Sequence, residues 1–415
     1  PKDAQAAGIA AVYQHPTSYP HLTVAENIFM GHEKKKGFFL DDKAHSEGAK
    51  KILQRLEHEI PPETMVGDLR VGQQQMVEIA RNLNQDDLRV LIMDEPTSSL
   101  SAAEVKVLFK IMRELLEAGI SIVYISHRLE EIMEIGDHVT ILRDGKQVAD
   151  LTTKDTNPEE LSAYMIGREL SEDYHIEGSP QNEVMLELKH VSNCHRKHSR
   201  HKLENISLTI HKGEILGIAG VEGNGQSELV KIISGLMETG SGEILLDGAN
   251  LAGEGIRGRY EAGVSYISED RLQDSLITGM SITENLILRE YKKSPFARHS
   301  LVNMSAIRKN AAEKMQQYHV RASGKSGIDT PVKLLSGGNQ QKLIIARELH
   351  DHAKVIIASQ PTRGLDIGAT EFVRQQLTEQ RNAGKGVMLI SADLEEIMAL
   401  SDRIAVLFGG KIVGI

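Results

Sequence analysis

Apolar residues in this chain gather into short unbroken runs, each stopping on a polar or turn-forming residue. Ala10-Ala11-Val12 leads into Tyr13-Gln14, and Val90-Leu91-Ile92-Met93 into Asp94-Glu95-Pro96. Ile122-Val123-Tyr124-Ile125 leads into Ser126-His127, and Ile215-Leu216-Gly217-Ile218-Ala219 into Gly220. Runs of this length without alternation predict parallel strands with both faces covered. Residues 43–58, 76–81 and 342–348 read instead as helices. Thr23 with Glu26, like Ser281 with Glu284, has the spacing of a helix capping box. Residues 137–146 read as two short strands joined by an Asp144-Gly145 turn.

Proline offers no N–H to a ladder, so Pro96 ends its strand and leaves Asp94 and Glu95 at the carboxyl end. Open α/β sheets bind ligands there. One carboxylate can hold Mg²⁺ while its neighbour, across the pleat, orients a water. On these residues alone, a solvated pair capping the next helix fits as well.

The pattern occurs twice. Asp94-Glu95-Pro96-Thr97 is matched by Ser359-Gln360-Pro361-Thr362, and Ser126-His127 through Met133 by Ser391-Ala392 through Met398. Asp94 and His127 are 33 positions apart, as are Ser359 and Ala392. Gly72 precedes Asp94 by 22 positions and Gly338 precedes Ser359 by 21, which points to a duplicated unit. At 415 residues the chain has room for two domains of about 200 residues each. A net charge of −10 gives no sign of a nucleic-acid surface, and the single cysteine, Cys194, excludes a disulfide framework. No apolar run approaches the roughly 20 residues that span a bilayer, so a membrane role must come through a partner. His195, His198 and His201 stand at metal-like spacing, but without flanking cysteines or acids they read as a solvated hairpin tip.

Leu69 to Gln75 with its helix, then Asp94-Glu95, then His127 stand in the order of signature motif, Walker B and switch histidine. The chain resembles the ABC-type ATPases over essentially its whole length. In the second half, Gly220-Val221-Glu222-Gly223-Asn224-Gly225-Gln226-Ser227 fits the phosphate-loop pattern except that Gln226 takes the lysine position. Such a strand–loop–helix turns N–H groups toward phosphate, and Ser227 keeps the hydroxyl that would face Mg²⁺. Leu335-Ser336-Gly337-Gly338-Asn339-Gln340 is a full signature.

The resemblance implies an α/β fold of two P-loop NTPase units. Each would be a RecA-like, mainly parallel sheet with a helical signature subdomain and a small antiparallel sheet. The expected boundaries are residues 1–150 for the first unit, 151–183 for a linker with a short helix around residues 161–166, and 184–415 for the second, degenerate unit. It also implies that the units pair head to tail around ATP. One composite site would take Gln14, Asp94 (holding Mg²⁺), Glu95 (polarising the attacking water) and His127 from the first unit. The second unit would add the signature Ser336, Gly337, Gly338 and Gln340. The other site would combine Gly220, Gly223, Gly225, Gln226, Ser227, Glu269, Ser359, Gln360 and Ala392 with the altered signature around Gly72, where Arg70 and Val71 replace Ser and Gly. Every departure from the motifs falls on this second site, so one hydrolytic site and one scaffold are expected. Gly220 precedes Glu269 by 49 positions, and the same interval before Gln14 would place the first phosphate loop ahead of Pro1. The first unit is therefore expected to be incomplete and the chain N-terminally truncated.

Within that family the first half is similar to ATPase subunits of ribose/galactoside-class importers, in Leu22 to Gly31, Val71 to Ala80 and Val123 to Leu129. Gly223 to Leu229 and Ala358 to Asp366 are similar to the nucleoside-importing branch. The implied role is energising uptake of a monosaccharide-type sugar, with a nucleoside as the alternative. A tandem soluble ABC factor acting on ribosomes is a further alternative, disfavoured by a short acidic linker. A non-catalytic regulator is disfavoured by Asp94, Glu95 and His127. The implied partners are ATP, integral-membrane permease subunits and, indirectly, a solute-binding protein, with no nucleic acid. The place is the cytoplasmic face of the membrane.

Overall fold

The computed structural model describes the chain except residues 1, 14–16, 86, 98–99, 101, 144, 168–175, 177, 194–202, 222, 300 and 323–325, and the side chains of Val71 and Ala102. Gln14 and the His195, His198 and His201 run therefore lie outside the described residues. The chain forms two compact units, residues 1–170 and 171–415. Among the described residues no helix is long and apolar enough to cross a membrane.

The first unit is built on three parallel strands, β1 (Ile9–Val12), β2 (Val90–Asp94) and β3 (Ser121–Ile125), with β2 in the middle. Ile9 pairs with Val90, and Asp94 with Ile125. The helical part comprises α1 (Val24–Phe29), α2 (Asp42–Arg55) and α3 (Val71–Leu83). Phe29, Leu53, Leu56, Met76, Ile79, Leu91 and Met93 meet in its core. Thr23 and Glu26 form the expected capping box at α1, which fixes where that helix starts. Helix α4 (Ala102–Glu117) packs on β3, and α5 (Leu129–Ile135) follows the strand. The antiparallel pair β4 (His138–Arg143) and β5 (Lys146–Thr152) precedes α6 (Pro158–Ile166). Asn157 caps α6 and Leu161 is fully buried, so the first part of the interval read as a linker is folded.

The second unit has a six-stranded sheet. Its strands are β8 (Ile215–Ala219), β10 (Val264–Ile267), β11 (Val355–Ser359), β12 (Gly386–Ile390), β13 (Arg403–Phe408) and β14 (Lys411–Gly414). They lie in the order β10-β11-β12-β8-β13-β14, parallel except at β14. An antiparallel sheet holds β6 (Val184–Asn193), β7 (Ile206–His211) and β9 (Thr239–Leu246). The helices are α7 (Gln226–Ser234), α8 (Ile256–Ala262), α9 (Ile282–Ile287), α10 (Met304–Gln317), α11 (Gly337–Glu348), α12 (Ile367–Asn382) and α13 (Leu394–Leu400). Ser281 and Glu284 box the start of α9 as Thr23 and Glu26 do at α1.

One expectation is corrected, and for two strands: the run of residues 122–125 also predicts a strand covered on both faces, yet in β3 Val123 and Ile125 are exposed. The run Val90–Met93 predicts a strand covered on both faces, and its duplicate β11 is buried at every residue. In β2, Leu91 and Met93 are buried but Val90 and Ile92 are only half-buried. The difference lies in the neighbours: α7 packs on β11, and no counterpart covers that face of β2 among the described residues.

Candidate functional site

Asp94 and Glu95 stand at the carboxyl end of β2, as the proline-terminated run requires. Glu95 takes a left-handed backbone conformation, φ +45°, with its N–H donating to the Ile125 carbonyl at 2.9 Å. A non-glycine residue there is strained, and such outliers collect at functional sites. The turn swings the Glu95 carboxylate toward the end of β3, where His127 Nδ1 lies 2.9 Å from Oε1. Both side chains keep about a quarter of their surface exposed, leaving room for a reactant (29% and 25% for His127 and Glu95). Asp94 is half-buried, and its carboxylate has no hydrogen-bond or ion-pair partner among the described residues. An unpartnered carboxylate at a strand end suits Mg²⁺, which binds through one or two carboxylates plus substrate phosphates.

The loop carrying His127 is held from below by a residue the sequence reading passed over. Glu131, on the first turn of α5, is buried and accepts through Oε2 from Thr97 Oγ1 (2.9 Å), the Tyr124 hydroxyl (2.6 Å) and Ser126 Oγ (3.0 Å). Its Oε1 accepts from Arg128 at 3.2 Å. Burial, and then this carboxylate, push the Tyr124 phenol above its usual range, so it stays a donor. One carboxylate thus ties the loop after Glu95 to the loop of His127. The repeat carried the signal: Thr97 and Glu131 recur as Thr362 and Glu396, whereas the residues between them that face a reactant change.

The second unit preserves that scaffold with other side chains, Ser359, Gln360 and Ala392, at the positions of Asp94, Glu95 and His127. Gln360 has φ +48°, and its N–H donates to the Ile390 carbonyl at 2.7 Å. Its side-chain oxygen accepts from the Ala392 main-chain N–H at 3.0 Å, where Glu95 meets a histidine. Glu396 accepts from Thr362 Oγ1 (2.9 Å) and Arg374 (3.2 Å). Ser359, in the Asp94 position, is buried.

In the glycine loop of this unit, side chains of the loop itself pair with one main-chain N–H and one carbonyl. Gln226 Oε1 accepts from the Asn224 N–H at 3.1 Å, and Gln226 Nε2 donates to the Val221 carbonyl at 3.0 Å. Gly223 and Gly225 take φ of +90° and +108°, which favours glycine. A Cβ on Gly220 would stand 2.4 Å from the Leu407 carbonyl oxygen. Ser227 is exposed on the first turn of α7, and Glu269 is half-exposed after β10. One main-chain N–H of the glycine loop, that of Asn224, is therefore already paired with Gln226.

Ser336 caps α11 by accepting from the Asn339 main-chain and side-chain N–H groups, at 3.4 and 2.9 Å. Gly337 and Gly338 form the first turn, whose N–H groups have no partner within the helix. Gln340 faces inward: its amide donates to the carbonyls of Val332 (3.4 Å) and Leu335 (3.3 Å), bracing the loop before the signature. Gly72 lies in the first turn of α3, where the N-cap Arg70 makes no side-chain cap bond. A second residue missed from sequence is the fully buried Glu78 on α3. It accepts from the N–H groups of Thr17 (2.6 Å) and Tyr13 (3.4 Å), fastening both flanks of residues 14–16. Its counterpart is Ile344, so nothing in the repeat pointed to it.

A model of the ABC transporter family matches residues 2–98 and 203–363. The chain is similar to a nucleoside import ATP-binding protein, NupA, of Lactococcus lactis subsp. cremoris. The two are 39% identical, over 100% of this chain and 81% of that protein. It is 41% identical to a guanosine import ATP-binding protein, NupO, of Bacillus subtilis, over 100% of this chain and 80% of that one. A ribose import ATP-binding protein, RbsA, of Clostridium perfringens is 39% identical, over 100% of this chain and 81% of its own.

Proposed function

The chain belongs to the ABC transporter family, as an ATP-hydrolysing subunit, and from that premise we propose that it energises uptake of a monosaccharide-type sugar from one hydrolytic site. The single observation carrying the asymmetry is the pair Glu95–His127 at 2.9 Å against Gln360–Ala392 at 3.0 Å: one scaffold twice, with ionisable side chains once.

In this reading Asp94 holds Mg²⁺, which when bound supplies positive charge to the phosphates. Glu95 accepts a hydrogen bond from the attacking water and aligns it, the positioning that phosphoryl transfer mostly requires. His127, oriented by Glu95, donates toward the terminal phosphate, and Gln14 lines the same site. Ser336, Gly337 and Gly338 of the signature add N–H and O–H donors to that phosphate. The site with Gln226, Glu269, Ser359, Gln360 and Ala392 serves as a scaffold. The subunit works at the cytoplasmic face of a membrane, against permease subunits fed by a solute-binding protein.

A second reading, a nucleoside as the solute, is favoured by the 39% and 41% identity to nucleoside and guanosine import proteins. Uptake of labelled ribose and labelled guanosine, in cells carrying the wild-type or the Glu95→Gln chain, separates the two. Loss of ribose uptake alone supports the sugar reading, and loss of guanosine uptake alone replaces it with the nucleoside. Loss of neither refutes the importer.

A further inference from the structure

Between α1 and α2 the chain makes a small hairpin, Lys35–Lys36 against Phe39–Leu40, turning at Gly37 (φ +68°). Its tip is an anomaly for a polar surface. Phe38 is 103% exposed, Phe39 80% and Leu40 54%, three adjacent large apolar side chains touching little. A lone exposed apolar residue is ordinary, whereas a contiguous patch marks a surface that something covers.

The same tip is basic in a chain of net charge −10. Cross-strand pairing sets Lys35 opposite Leu40 and Lys36 opposite Phe39, so each face shows one ammonium beside one apolar group. Glu33 is turned back onto the Gly31 N–H at 3.0 Å. The root is fixed: the Lys34 N–H donates to His45 Nε2 (2.8 Å), and the Asp41 N–H donates to the Lys34 carbonyl (2.9 Å). A hairpin with one such pair recurs in the second unit, without the phenylalanines. There Arg298 pairs with Leu301 (76% exposed), and the Asn303 N–H donates to the Phe296 carbonyl at 2.8 Å.

We propose that the hairpin of residues 34–40 is a lipid contact, its aromatic tip seated at the headgroup level of an anionic bilayer. Aromatic rings settle at that level, and lysines beside them reach the lipid phosphates with their stems along apolar surface. The shape favours lipid over protein. A cavity of ≈ 620 Å³ in the first unit is lined by residues between Ser46 and Glu63, none of them in the hairpin. The hairpin is small, two residues per strand, and its tip side chains are exposed, so a soft interface admits it directly. The inference rests on the reading that this subunit works beside a membrane, and it adds a direct contact to the one made through permease subunits.

The test is co-sedimentation of the purified chain with phosphatidylglycerol–phosphatidylcholine vesicles and with pure phosphatidylcholine vesicles. Wild type is expected to bind the first and not the second. Lys35→Gln/Lys36→Gln should weaken binding about 30-fold, and Phe38→Ser/Phe39→Ser about 10-fold or more. Circular dichroism should be unchanged, since these side chains are exposed. Equal binding to both vesicle types, or wild-type binding by the phenylalanine variant, overturns the proposal. So does a variant that keeps vesicle binding but no longer co-purifies with the permease, since that places the tip against protein. Turnover of the detergent-solubilised importer is expected to be unaffected by either variant. A failure of the importer reading would show there, and a failure of the lipid contact only on vesicles.

Discussion

Replacing Glu131 with alanine probes the joint between the loop after Glu95 and the loop of His127. Three hydroxyls converge on its Oε2, from Thr97, Tyr124 and Ser126 at 2.9, 2.6 and 3.0 Å. A hydrogen bond to a charged acceptor contributes about 1.5–3 kcal/mol, and a hydroxyl left buried without a partner costs about 1–3 kcal/mol. Thr97 is only 2% exposed, so its hydroxyl cannot turn to water after the change. Three donors sharing one oxygen are not additive, and the half-exposed Arg128 adds little. We therefore expect a loss of about 4 kcal/mol, which lowers Tm by about 8–16 °C for a unit of this size. Calorimetry of the chain measures it, with Glu396→Ala as the matched change in the second unit. Glu396 is fully buried and holds Thr362 at 2.9 Å and Arg374 at 3.2 Å, so it should be destabilising as well. The two should part in activity: Glu131→Ala releases the His127 loop and lowers importer ATPase by about 100-fold or more, whereas Glu396→Ala leaves the rate near wild type at permissive temperature. A Tm change under about 2 °C for Glu131→Ala, or equal ATPase losses from the two variants, would refute the reasoning.

Two further outcomes follow from the second unit. Arg259, almost fully buried, donates to the carbonyls of Ile232, Ile233 (3.0 Å) and Glu254 (2.8 Å), closing the C-terminal end of α7. Arg259→Ala should destabilise by about 3–5 kcal/mol in chemical denaturation and Arg259→Lys should recover little, because the fork geometry is lost. His350 is buried against His352 and Tyr260, with neither ring nitrogen hydrogen-bonded; burial first, then the neighbouring cations His352, Lys385, Lys293 and Lys314, lower its pKa to about 3. The unfolded chain then binds the extra proton between the ordinary histidine value and about 3, so the stability His350 contributes is complete above that ordinary value and lost as pH falls through the window. His350→Phe should flatten that acid limb in pH-dependent melting, and an unchanged slope would show that His350 does not carry it.

The sequence disclosed what periodicity and fixed spacing encode. The strand ends carrying Asp94, Glu95 and His127, both capping boxes and the duplication were legible, because each depends on a few neighbouring residues. What it hid depends on contacts distant in sequence. Glu78 is 61 positions from Thr17, and only folding shows that its carboxylate fastens the flanks of residues 14–16. Glu131 stood in plain view within a repeated Glu-Glu pair, yet choosing the inward-facing one needs the phase of α5. The partial exposure of Val90 and Ile92 was equally hidden, since a run of apolar residues reports its own character and not whether a helix lies across it.

The most direct test of an unequal pair of sites is the turnover number of the complete importer with Glu95→Gln set against Gln360→Glu. The account predicts a fall of about 100-fold or more for the first and a rate indistinguishable from wild type for the second. Comparable losses from both substitutions would contradict it.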